Sequence, residues 1–364
     1  MTDGVKLDTA IKFGAGRVRC ERGLLEDLGN EFVRFSKRPY IIAGPRAWDA
    51  VKERLVPALE AAHLDYQLKI YVGQCCFEGA EELAQKAQAL NCDEVIGVGG
   101  GKITDFVKAV AEIAHLGAIT VPTSASCCAP FTCMSVMYTV DGKKLKSWRF
   151  DHEIDGCYMD LDVIAACPIR YNAAGVMDAM AKKIEMLNGK PKMLLSENGI
   201  DVFSAYSIAD YMYGVLESQA REAIDDNRRA KVTKALEDVA FLNVILTGVI
   251  ANITKSYKQS ELAHVIYDGI RTHFYKEAKN ALHGEIVGIG LFCQLYYNDL
   301  KEKEQELREF MKSMDMPLTL EDIGIEPTEE NLMKLEEYIV NSRHFNSDDP
   351  KDRIRLHEAV KEMV

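Results

Sequence analysis

Three side chains of the kind that bind metals stand in the second half of the chain. Asp178 lies in an apolar helical stretch, where a carboxylate without a partner is costly to bury. His264 lies on a helical pattern, and His283 opens another predicted helix. Two imidazoles and one carboxylate with an open fourth position are typical of catalytic zinc. The spacing alone does not select this pair of histidines, so histidines satisfied inside a core are the alternative interpretation.

A glycine-rich loop is the second chemical signal. Residues 97–102 read Gly-Val-Gly-Gly-Gly-Lys, directly after a predicted strand and before a predicted helix. Glycines let the backbone N–H groups approach a phosphate closely, and the start of a helix favours negative charge. Lys102 adds a full positive charge. The pattern matches neither GxGxxG nor a Walker loop, so a glycine turn without a ligand is the alternative.

The turn after an earlier strand bears on the choice of cofactor. Dinucleotide folds usually place an acidic residue after a neighbouring strand, where it binds the adenosine ribose. Here the strand predicted at residues 40–43 ends in Gly44, Pro45 and Arg46, with no carboxylate. A neutral turn followed by an arginine leaves room for a 2′-phosphate and favours NADPH. A plain surface arginine is the alternative.

The order of elements predicts a parallel sheet that positions these loops. Strands are predicted at residues 40–43, 66–71, 94–98 and 118–122, the last closing the series, and helical segments separate them. After residue 160, helical periodicities dominate, at residues 173–187, 217–253 and 285–297. We therefore predict an α/β fold with two domains. A doubly wound dinucleotide-binding domain spans residues 1–165, and an all-α metal- and substrate-binding domain spans residues 166–364.

Composition limits the possible partners. The net charge of −12 over 364 residues argues against a nucleic acid or an anionic membrane. The N-terminus lacks the apolar core of a signal peptide, and no apolar stretch is expected to approach the ~20 residues that span a bilayer. The ten cysteines include no CxxC pair, which favours a reducing compartment. We expect a cytoplasmic homo-oligomer that acts on a small molecule, with no membrane or nucleic-acid partner.

Four motifs in order resemble one family, the metal-dependent (so-called iron-containing) alcohol dehydrogenases, in their glycerol dehydrogenase branch. The first is residues 97–102 with Asp105, and the second is VPTSAS at 121–126 followed by SVMY at 135–138. The third is AGVMDA at 174–179, and the fourth joins His264 to the HGE at 283–285. The resemblance extends from about residue 93 to 290.

The resemblance implies a fold, a cofactor and a metal. It implies an α/β dinucleotide domain followed by a helical metal domain, with the active site in the cleft between them. NADP or NAD is the implied cofactor, and a divalent zinc or iron is implied as the metal, bound by the catalytic residues Asp178, His264 and His283. The residues assigned to the cofactor, including the turn at Gly44, are Gly44, Arg46, Gly99, Gly100, Gly101, Lys102, Asp105, Thr123, Ser126, Thr132, Met134 and Tyr138.

The chain departs from the glycerol dehydrogenase pattern at several places: residues 250–262 replace a glycine-rich segment before His264, and three single positions differ. Cys128 replaces an aspartate that touches the polyol, Tyr267 replaces a histidine that often follows the first ligand histidine, and Gly44 replaces the adenosine-binding aspartate. Cys128 and Gly44 together look like the branch that reduces 2-oxo acids with NADPH. We assign Cys128, Tyr267 and Lys182 to the substrate.

Two further cations are candidates for binding a substrate carboxylate. Lys182 lies four residues after Asp178, and two residues at that spacing share a helix face. Arg170 is the second candidate. Exposed salt bridges are the alternative for both, and residue type alone favours that alternative.

The implied reaction interconverts a small alcohol or 2-hydroxy acid with its ketone or 2-oxo acid. The metal acts as a Lewis acid on the substrate oxygen, and the nicotinamide transfers hydride. Tyr267 and the nicotinamide ribose with ordered water are candidates for the proton relay.

One alternative is glycerol dehydrogenase proper, with glycerol, dihydroxyacetone and NAD. Another is a dehydroquinate synthase-like lyase that needs a metal, NAD and a dense lysine and arginine pocket, which the sequence around Asp178 and His264 does not indicate. A third is a non-catalytic protein of the same fold.

Overall fold

The computed structural model describes residues 11–254, 259–345 and 349–364. The first part of the chain forms a six-stranded parallel sheet with the order β1-β8-β5-β4-β2-β3. Strands β6 and β7 form a separate antiparallel hairpin. The strands are β1 Ala15–Glu21, β2 Pro39–Ala43, β3 Gln67–Ile70, β4 Glu94–Gly99, β5 Gly117–Pro122, β6 Met134–Tyr138, β7 Lys144–Arg149 and β8 Ile154–Asp160.

Helices cover both faces of the sheet, which explains the apolar runs in its central strands. Every residue of β2 and β4 is buried. Tyr40 and Ile42 pack into a core with helices α3 (Phe77–Ala89) and α4 (Gly101–Ala114). The intervening Ile41 points to the opposite core, with α1 (Leu28–Phe32) and α2 (Pro45–Ala61). This layering is typical of parallel sheets in α/β proteins.

The sheet extends two strands further than the sequence indicates. The prediction that residues 118–122 close the series is wrong, because β8 pairs beside β5 and β1 pairs beside β8. Strand β1 is an edge strand with a polar sequence. Its Arg17 and Arg19 bind the buried carboxylate of Glu31, at 3.0 and 2.9 Å. Because β1 contains these two arginines, it lacks the apolar run that predicts the other strands.

The second part of the chain is helical, which confirms the predicted fold class. The strand β8 ends at Asp160, and the division at residue 165 stays a prediction. Helices α6, α10 and α11 pack together at the centre of the second core. The helices are α5 Leu161–Ala166, α6 Ile169–Leu187, α7 Ile200–Arg228, α8 Lys234–Phe241, α9 Thr247–Ile253, α10 Leu262–His273, α11 His283–Tyr297, α12 Glu304–Ser313, α13 Glu329–Val340 and α14 Pro350–Val360.

The helix predicted over residues 217–253 is wrong as a single element. Helix α7 ends at Arg228, Ala230 has a left-handed φ of 49°, and α8 begins after Thr233, whose hydroxyl accepts the Leu236 N–H. A threonine N-cap of this kind marks a new helix start. A π-helical turn, Leu242–Leu246, then joins α8 to α9.

The expectation about membrane-spanning length also needs correction. By length and composition, the helical run Lys234–Ile253 is long and apolar enough to cross a membrane. However, 67% of that stretch is buried inside the protein, and a core helix meets the same criterion. Ala240, Val244 and Ile245 pack into a core beneath the parallel sheet, so this run joins the helical part to the sheet.

Candidate active site

The strand order creates a crevice at the carboxyl ends of β2 and β4. These two strands are neighbours, but β2 is followed by β3 on one side and β4 by β5 on the other. Ligands of open α/β sheets bind at such a switch point. Gly44 follows β2 here, and its N–H donates to Val98 O on β4 at 3.2 Å. Arg46 is exposed and borders the same cleft.

The glycines of residues 97–102 divide into two roles. A Cβ at Gly97 would lie 2.4 Å from Val107 Cγ2, and one at Gly99 would lie 2.8 Å from Ile103 Cβ. These two glycines let α4 pack closely on β4, and Gly99 is absent from the residues that line the cleft. Gly100 is the N-cap of α4, and no side chain caps that helix start. A Cβ at Gly101 would lie 2.7 Å from Cys127 Sγ, so a larger residue there would force the Cys127 side chain to shift. An uncapped, glycine-lined helix start fits a phosphate group.

A buried lysine that the sequence interpretation missed organises the second half of this cradle. Lys108 is 2% exposed, and its ammonium donates to Ala129 O at 2.7 Å and to Thr132 O at 2.9 Å. It also contacts Met134 O and lies 3.0 Å from Asp105 Oδ1. Its only sequence signal was its place three residues after Asp105 on the buried face of α4.

Asp105 is engaged by protein groups rather than open to a ligand. Its Oδ2 accepts the Val136 N–H at 3.0 Å, and its carbonyl accepts the Ser135 hydroxyl at 2.7 Å. The carboxylate therefore connects α4 to strand β6. The structure places Thr123, Ser126, Thr132, Met134 and Tyr138 along the cleft with Gly100, Gly101 and Lys102.

The three predicted metal ligands meet at the floor of the cleft. Asp178 Oδ1 lies 3.4 Å from His264 Nε2 and 3.6 Å from His283 Nε2, and the three ligand atoms all lie within 4.8 Å of one another. Ligands about 2.0–2.1 Å from a tetrahedral ion are about 3.3 Å apart, so the set has the right size. Asp178 Oδ1 is buried, and it faces these two imidazole nitrogens and the Lys182 ammonium, which lies 3.0 Å away. A buried carboxylate oxygen facing two imidazole nitrogens fits a divalent cation.

Two glycines bring the helices of this triad together. A Cβ at Gly284 would lie 1.8 Å from Ala174 O, so α11 crosses α6 in backbone contact. A Cβ at Gly175 would lie 1.9 Å from Ala125 O, which ties α6 to the loop of Thr123 and Ser126. Asn243, in the π-helical turn, donates to the same Ala125 O at 3.1 Å. The metal ligands and the cofactor loop are thus held in one packed unit.

Glu185 orients His264, and the sequence interpretation did not find it. Glu185 is fully buried, and its Oε2 accepts the His264 Nδ1–H at 2.5 Å. Its Oε1 accepts the backbone N–H groups of Glu261 and His264 at 2.8 and 2.9 Å. Because an ionised carboxylate only accepts hydrogen bonds, Nδ1 carries a proton, and Nε2 is the ring nitrogen that faces Asp178.

Lys182 and Arg170 have different surroundings. Lys182 is 2% exposed, and its ammonium lies 3.0 Å from Asp178 Oδ1 and 3.2 Å from His264 Nε2. The alternative interpretation, that Lys182 forms an exposed salt bridge, is therefore wrong. Arg170 is half-exposed and binds Glu285 at 2.5 and 2.7 Å. For Arg170 the alternative interpretation, a salt bridge rather than a substrate contact, therefore fits the structure. With Arg271, which donates to Ala281 O at 2.5 Å, Arg170 fixes the turn that precedes His283.

Charge interactions keep the triad ready for a cation. Burial works against the charged form of Asp178, but the Lys182 ammonium outweighs it and holds the pKa of Asp178 well below its usual range. Burial lowers the pKa of His283, so its imidazole is neutral near pH 7. Burial also opposes the charged form of His264, but the charge of Glu185 outweighs it and raises the pKa of His264. Metals bind neutral imidazoles and ionised carboxylates, so a bound dication would take the place of a proton on His264 Nε2.

Tyr267 and Cys128 line the cleft above the triad. The Tyr267 hydroxyl lies 2.7 Å from the Tyr138 hydroxyl, and its ring meets His283 edge-on at 4.3 Å. Burial raises the pKa of the Cys128 thiol, which leaves it protonated and a poor nucleophile. The cleft has a volume of about 1060 Å³ and contains every predicted site residue except Gly99 and the candidate Arg170. That volume suits a dinucleotide together with a small substrate.

Comparison with known proteins agrees with this fold. Residues 15–153 match the family of the iron-containing alcohol dehydrogenases. A glycerol dehydrogenase of Thermotoga maritima is 29% identical over 346 residues, covering 92% of this chain and 91% of the relative. Hydroxycarboxylate dehydrogenase A of Escherichia coli is 26% identical over 290 residues, covering 78% and 77%. The crystal structure of a probable glycerol dehydrogenase from Sinorhizobium meliloti superposes with a TM-score of 0.83 at 23% identity, covering 97% and 98%, and shows the same fold.

Residues 15–153 thus form a domain similar to the iron-containing alcohol dehydrogenases. With the metal cradle and the dehydrogenase relatives, this domain defines the protein as a metal-dependent oxidoreductase of the alcohol dehydrogenase type.

Proposed function

We propose that the protein reduces a small 2-oxo acid to its 2-hydroxy acid with NADPH, and catalyses the reverse oxidation. The observation that carries this proposal is the buried Lys182, which contacts the triad and borders the cleft. Cys128 stands in the place where the glycerol enzymes carry an aspartate. A pocket that holds an ammonium and lacks that carboxylate favours an acid over a neutral polyol.

The residues of the chain divide the work of binding. Asp178, His264 and His283 would hold a divalent metal, which when bound supplies Lewis-acid polarisation of the substrate oxygen. Gly100, Gly101 and Lys102 would bind the pyrophosphate of the cofactor, whose nicotinamide supplies the hydride. Glu185 holds the His264 ring, and Tyr267 lies beside His283 with its hydroxyl bonded to Tyr138. The hydroxyl of Tyr267 is therefore a candidate hydrogen-bond donor to the substrate.

The activity is tested by following the absorbance of the reduced nicotinamide. The zinc- or iron-loaded protein is mixed with NADPH or NADH and with 2-oxo acids, aldehydes or dihydroxyacetone, with and without a chelator. We expect chelator-sensitive loss of absorbance with a 2-oxo acid and NADPH. Asp178→Asn should abolish the signal, whereas the control Asp210→Asn, which alters the exposed partner of Lys183, should retain it.

Other results would assign another function. Turnover only with dihydroxyacetone and NADH would make the protein a glycerol dehydrogenase and reject our interpretation of Cys128 and Gly44. A protein that binds the metal but never consumes the nicotinamide would be a lyase, which regenerates its cofactor in each turnover, or a non-catalytic relative. Among the described residues, only Lys182 of the lysines and arginines contacts the triad directly, which favours the oxidoreductase.

The preference for NADPH gives a separate prediction at Gly44. Its φ of −70° is ordinary, and a Cβ there would meet Ile103 at 3.6 Å, so an aspartate fits without strain. Because the new carboxylate would repel a 2′-phosphate and bind a ribose hydroxyl, Gly44→Asp should shift the preference towards NADH about tenfold or more. The kcat/KM for each cofactor measures the shift. An unchanged ratio of the two kcat/KM values would show that this turn does not distinguish the two cofactors at the adenosine ribose.

The cellular setting belongs to the same proposal. All ten cysteines are free thiols, and this supports a reducing cytoplasm. Self-association into a homo-oligomer and the lack of membrane or nucleic-acid partners remain predictions from the sequence.

A further inference from the structure

The Lys182 ammonium contacts two of the three atoms that would bind the metal, so it competes with the metal for them. Its ammonium lies 3.0 Å from Asp178 Oδ1 and 3.2 Å from His264 Nε2, and these are two of the three atoms that would ligate the ion. The single lone pair of His264 Nε2 cannot serve a dication and an ammonium at once, and a dication on Asp178 Oδ1 would repel an ammonium held this close to the same oxygen. The metal and the Lys182 ammonium therefore cannot keep the same partners.

The cradle offers Lys182 little in exchange. Glu185, on the same face of α6, already accepts the His264 imidazole N–H and two backbone N–H groups. Cys128, which lies close enough to feel the charge of Lys182, carries a thiol rather than a carboxylate. A buried ammonium beside a dication needs a new anion. Lys182 borders the cleft, and its four-carbon stem lets the ammonium turn into it.

We propose that metal binding displaces the Lys182 ammonium from the triad into the cleft, where it binds the carboxylate of the substrate. This inference rests on the proposed function and adds a coupling to it. The metal and the acid substrate bind cooperatively, because each supplies what the other needs: the metal frees the ammonium, and the acid neutralises it. By linkage the effect is reciprocal. A neutral carbonyl compound gains nothing from the displaced lysine.

The coupling is measured as metal affinity, without turnover. The metal-free protein is titrated with Co²⁺, whose visible absorbance reports binding, alone, with oxamate, and with the uncharged ethyl oxamate. We expect oxamate to tighten Co²⁺ binding to the wild type by about tenfold or more, and ethyl oxamate to have no such effect. Binding of Co²⁺ by free oxamate weakens the apparent affinity equally in every variant, so it cannot produce a difference between variants.

Two variants separate the contribution of Lys182. Lys182→Met removes the ammonium at similar volume, so it should bind Co²⁺ more tightly than the wild type without oxamate and should lose the oxamate effect. Lys183→Met is the matched control, because the neighbouring Lys183 binds Asp210 on another face of the helix. It should behave like the wild type.

A further variant, Cys128→Asp, keeps the test decisive if Lys182→Met does not fold. Cys128→Asp gives Lys182 a permanent anion in the cleft, so it should bind Co²⁺ more tightly than the wild type without oxamate and respond less to oxamate. An oxamate effect as large in Lys182→Met or Cys128→Asp as in the wild type would overturn this inference and leave the proposed function intact. Failure of every variant and of the wild type to bind Co²⁺ would overturn both.

Discussion

At the scale of single residues, the metal triad depends on a carboxylate that does not touch the metal position. Glu185 accepts the Nδ1–H of His264 and two backbone N–H groups at the start of α10. Burial alone would raise the pKa of Glu185, but the charge of His264 and its hydrogen bond outweigh burial and lower it. The ionised Glu185 thereby fixes both the tautomer and the ring orientation of His264.

Replacing Glu185 by glutamine should weaken metal binding and leave the fold intact. A neutral amide accepts the imidazole N–H less strongly, so the His264 Nε2 becomes a poorer ligand. We expect the affinity for Zn²⁺ to fall about 10- to 100-fold, measured by competition with a chromogenic chelator. Glu306→Gln, at an exposed glutamate, is the control. Equal Zn²⁺ affinity in the two variants would refute the role of Glu185.

The sequence identified the residues of the site unevenly, for a physical reason. Asp178, His264 and His283 belong to motifs with a recognisable order, so the triad was predicted and the structure brings it together. Glu185 and Lys108 lie on apolar helices without a local pattern, and their partners are distant in sequence. Only the packing of helices shows that these buried charges are satisfied.

At the scale of elements, the site depends on how closely helices approach one another. Helix α6 touches the cofactor loop at Gly175 and α11 at Gly284, with backbone oxygens where a Cβ would stand. Asp178 lies three residues after Gly175, and His283 directly precedes Gly284. A small separation of the helices would therefore move one ligand away from another.

Adding one methyl group at this crossing should harm both stability and the site. Gly284→Ala places a Cβ 1.8 Å from Ala174 O, which forces α11 away from α6. We expect a loss of about 3 kcal/mol in the free energy of unfolding, together with weaker metal binding. Denaturant unfolding and a Zn²⁺ titration measure the two effects.

Gly214→Ala is the matched control for that substitution. Gly214 lies inside α7, and a Cβ there would meet no atom within 4 Å. Alanine should therefore stabilise the protein by about 0.5–1 kcal/mol, the usual gain in a helix interior. A similar response to both substitutions would contradict the claim that close helix contact is specific to Gly284.

The elements themselves were predictable where their sequence matched their burial. The strands β2 and β4 are predictable because helices bury both of their faces, which makes their sequences apolar throughout. Helix α4 is predictable because it packs on the sheet, which gives it an apolar face. Strands β1 and β8 were missed, because their ends carry charges satisfied by distant partners. The break between α7 and α8 depends on the backbone at Ala230 and a threonine cap, which a hydrophobic period does not reveal.

At the scale of the whole molecule, the two edges of the sheet serve different purposes. The carboxyl edge carries the cleft. At the amino edge, Glu94 and Asp155 share a hydrogen bond beside Gly117, and one oxygen of Glu94 is buried without a partner. Burial, together with the charge of Asp155, raises the pKa of Glu94 to about 9.

This buried pair makes the stability of the fold depend on pH. Between the ordinary glutamate pKa of 4.5 and about 9, the native state holds a proton on Glu94 that the unfolded chain has lost. Stability therefore falls as pH rises through this window, by at most about 1.4 kcal/mol per pH unit. Glu94→Gln removes the titrating group, so its stability advantage over the wild type should grow from pH 6 to pH 9 in urea unfolding. An advantage that stays constant over this range would contradict the shared-proton pair.

The cleft exists only because both halves of the chain meet. Tyr138 on β6 bonds to Tyr267 on α10, and Asn243 from the helical part bonds to the loop at Ala125. The predicted cofactor loop comes from one half and the predicted metal triad from the other, so the proposed hydride transfer requires both at once. Neither half alone accounts for an oxidoreductase.

Transfer of deuterium from labelled cofactor to product tests this account most directly. The metal-loaded protein is incubated with NADPH deuterated at the transferring position of the nicotinamide and with a 2-oxo acid, and the 2-hydroxy acid is analysed by mass spectrometry. We predict one deuterium at C2 of the product, and no product after removal of the metal. A product without deuterium, or the same labelled product from the metal-free protein, would contradict metal-dependent hydride transfer in this cleft.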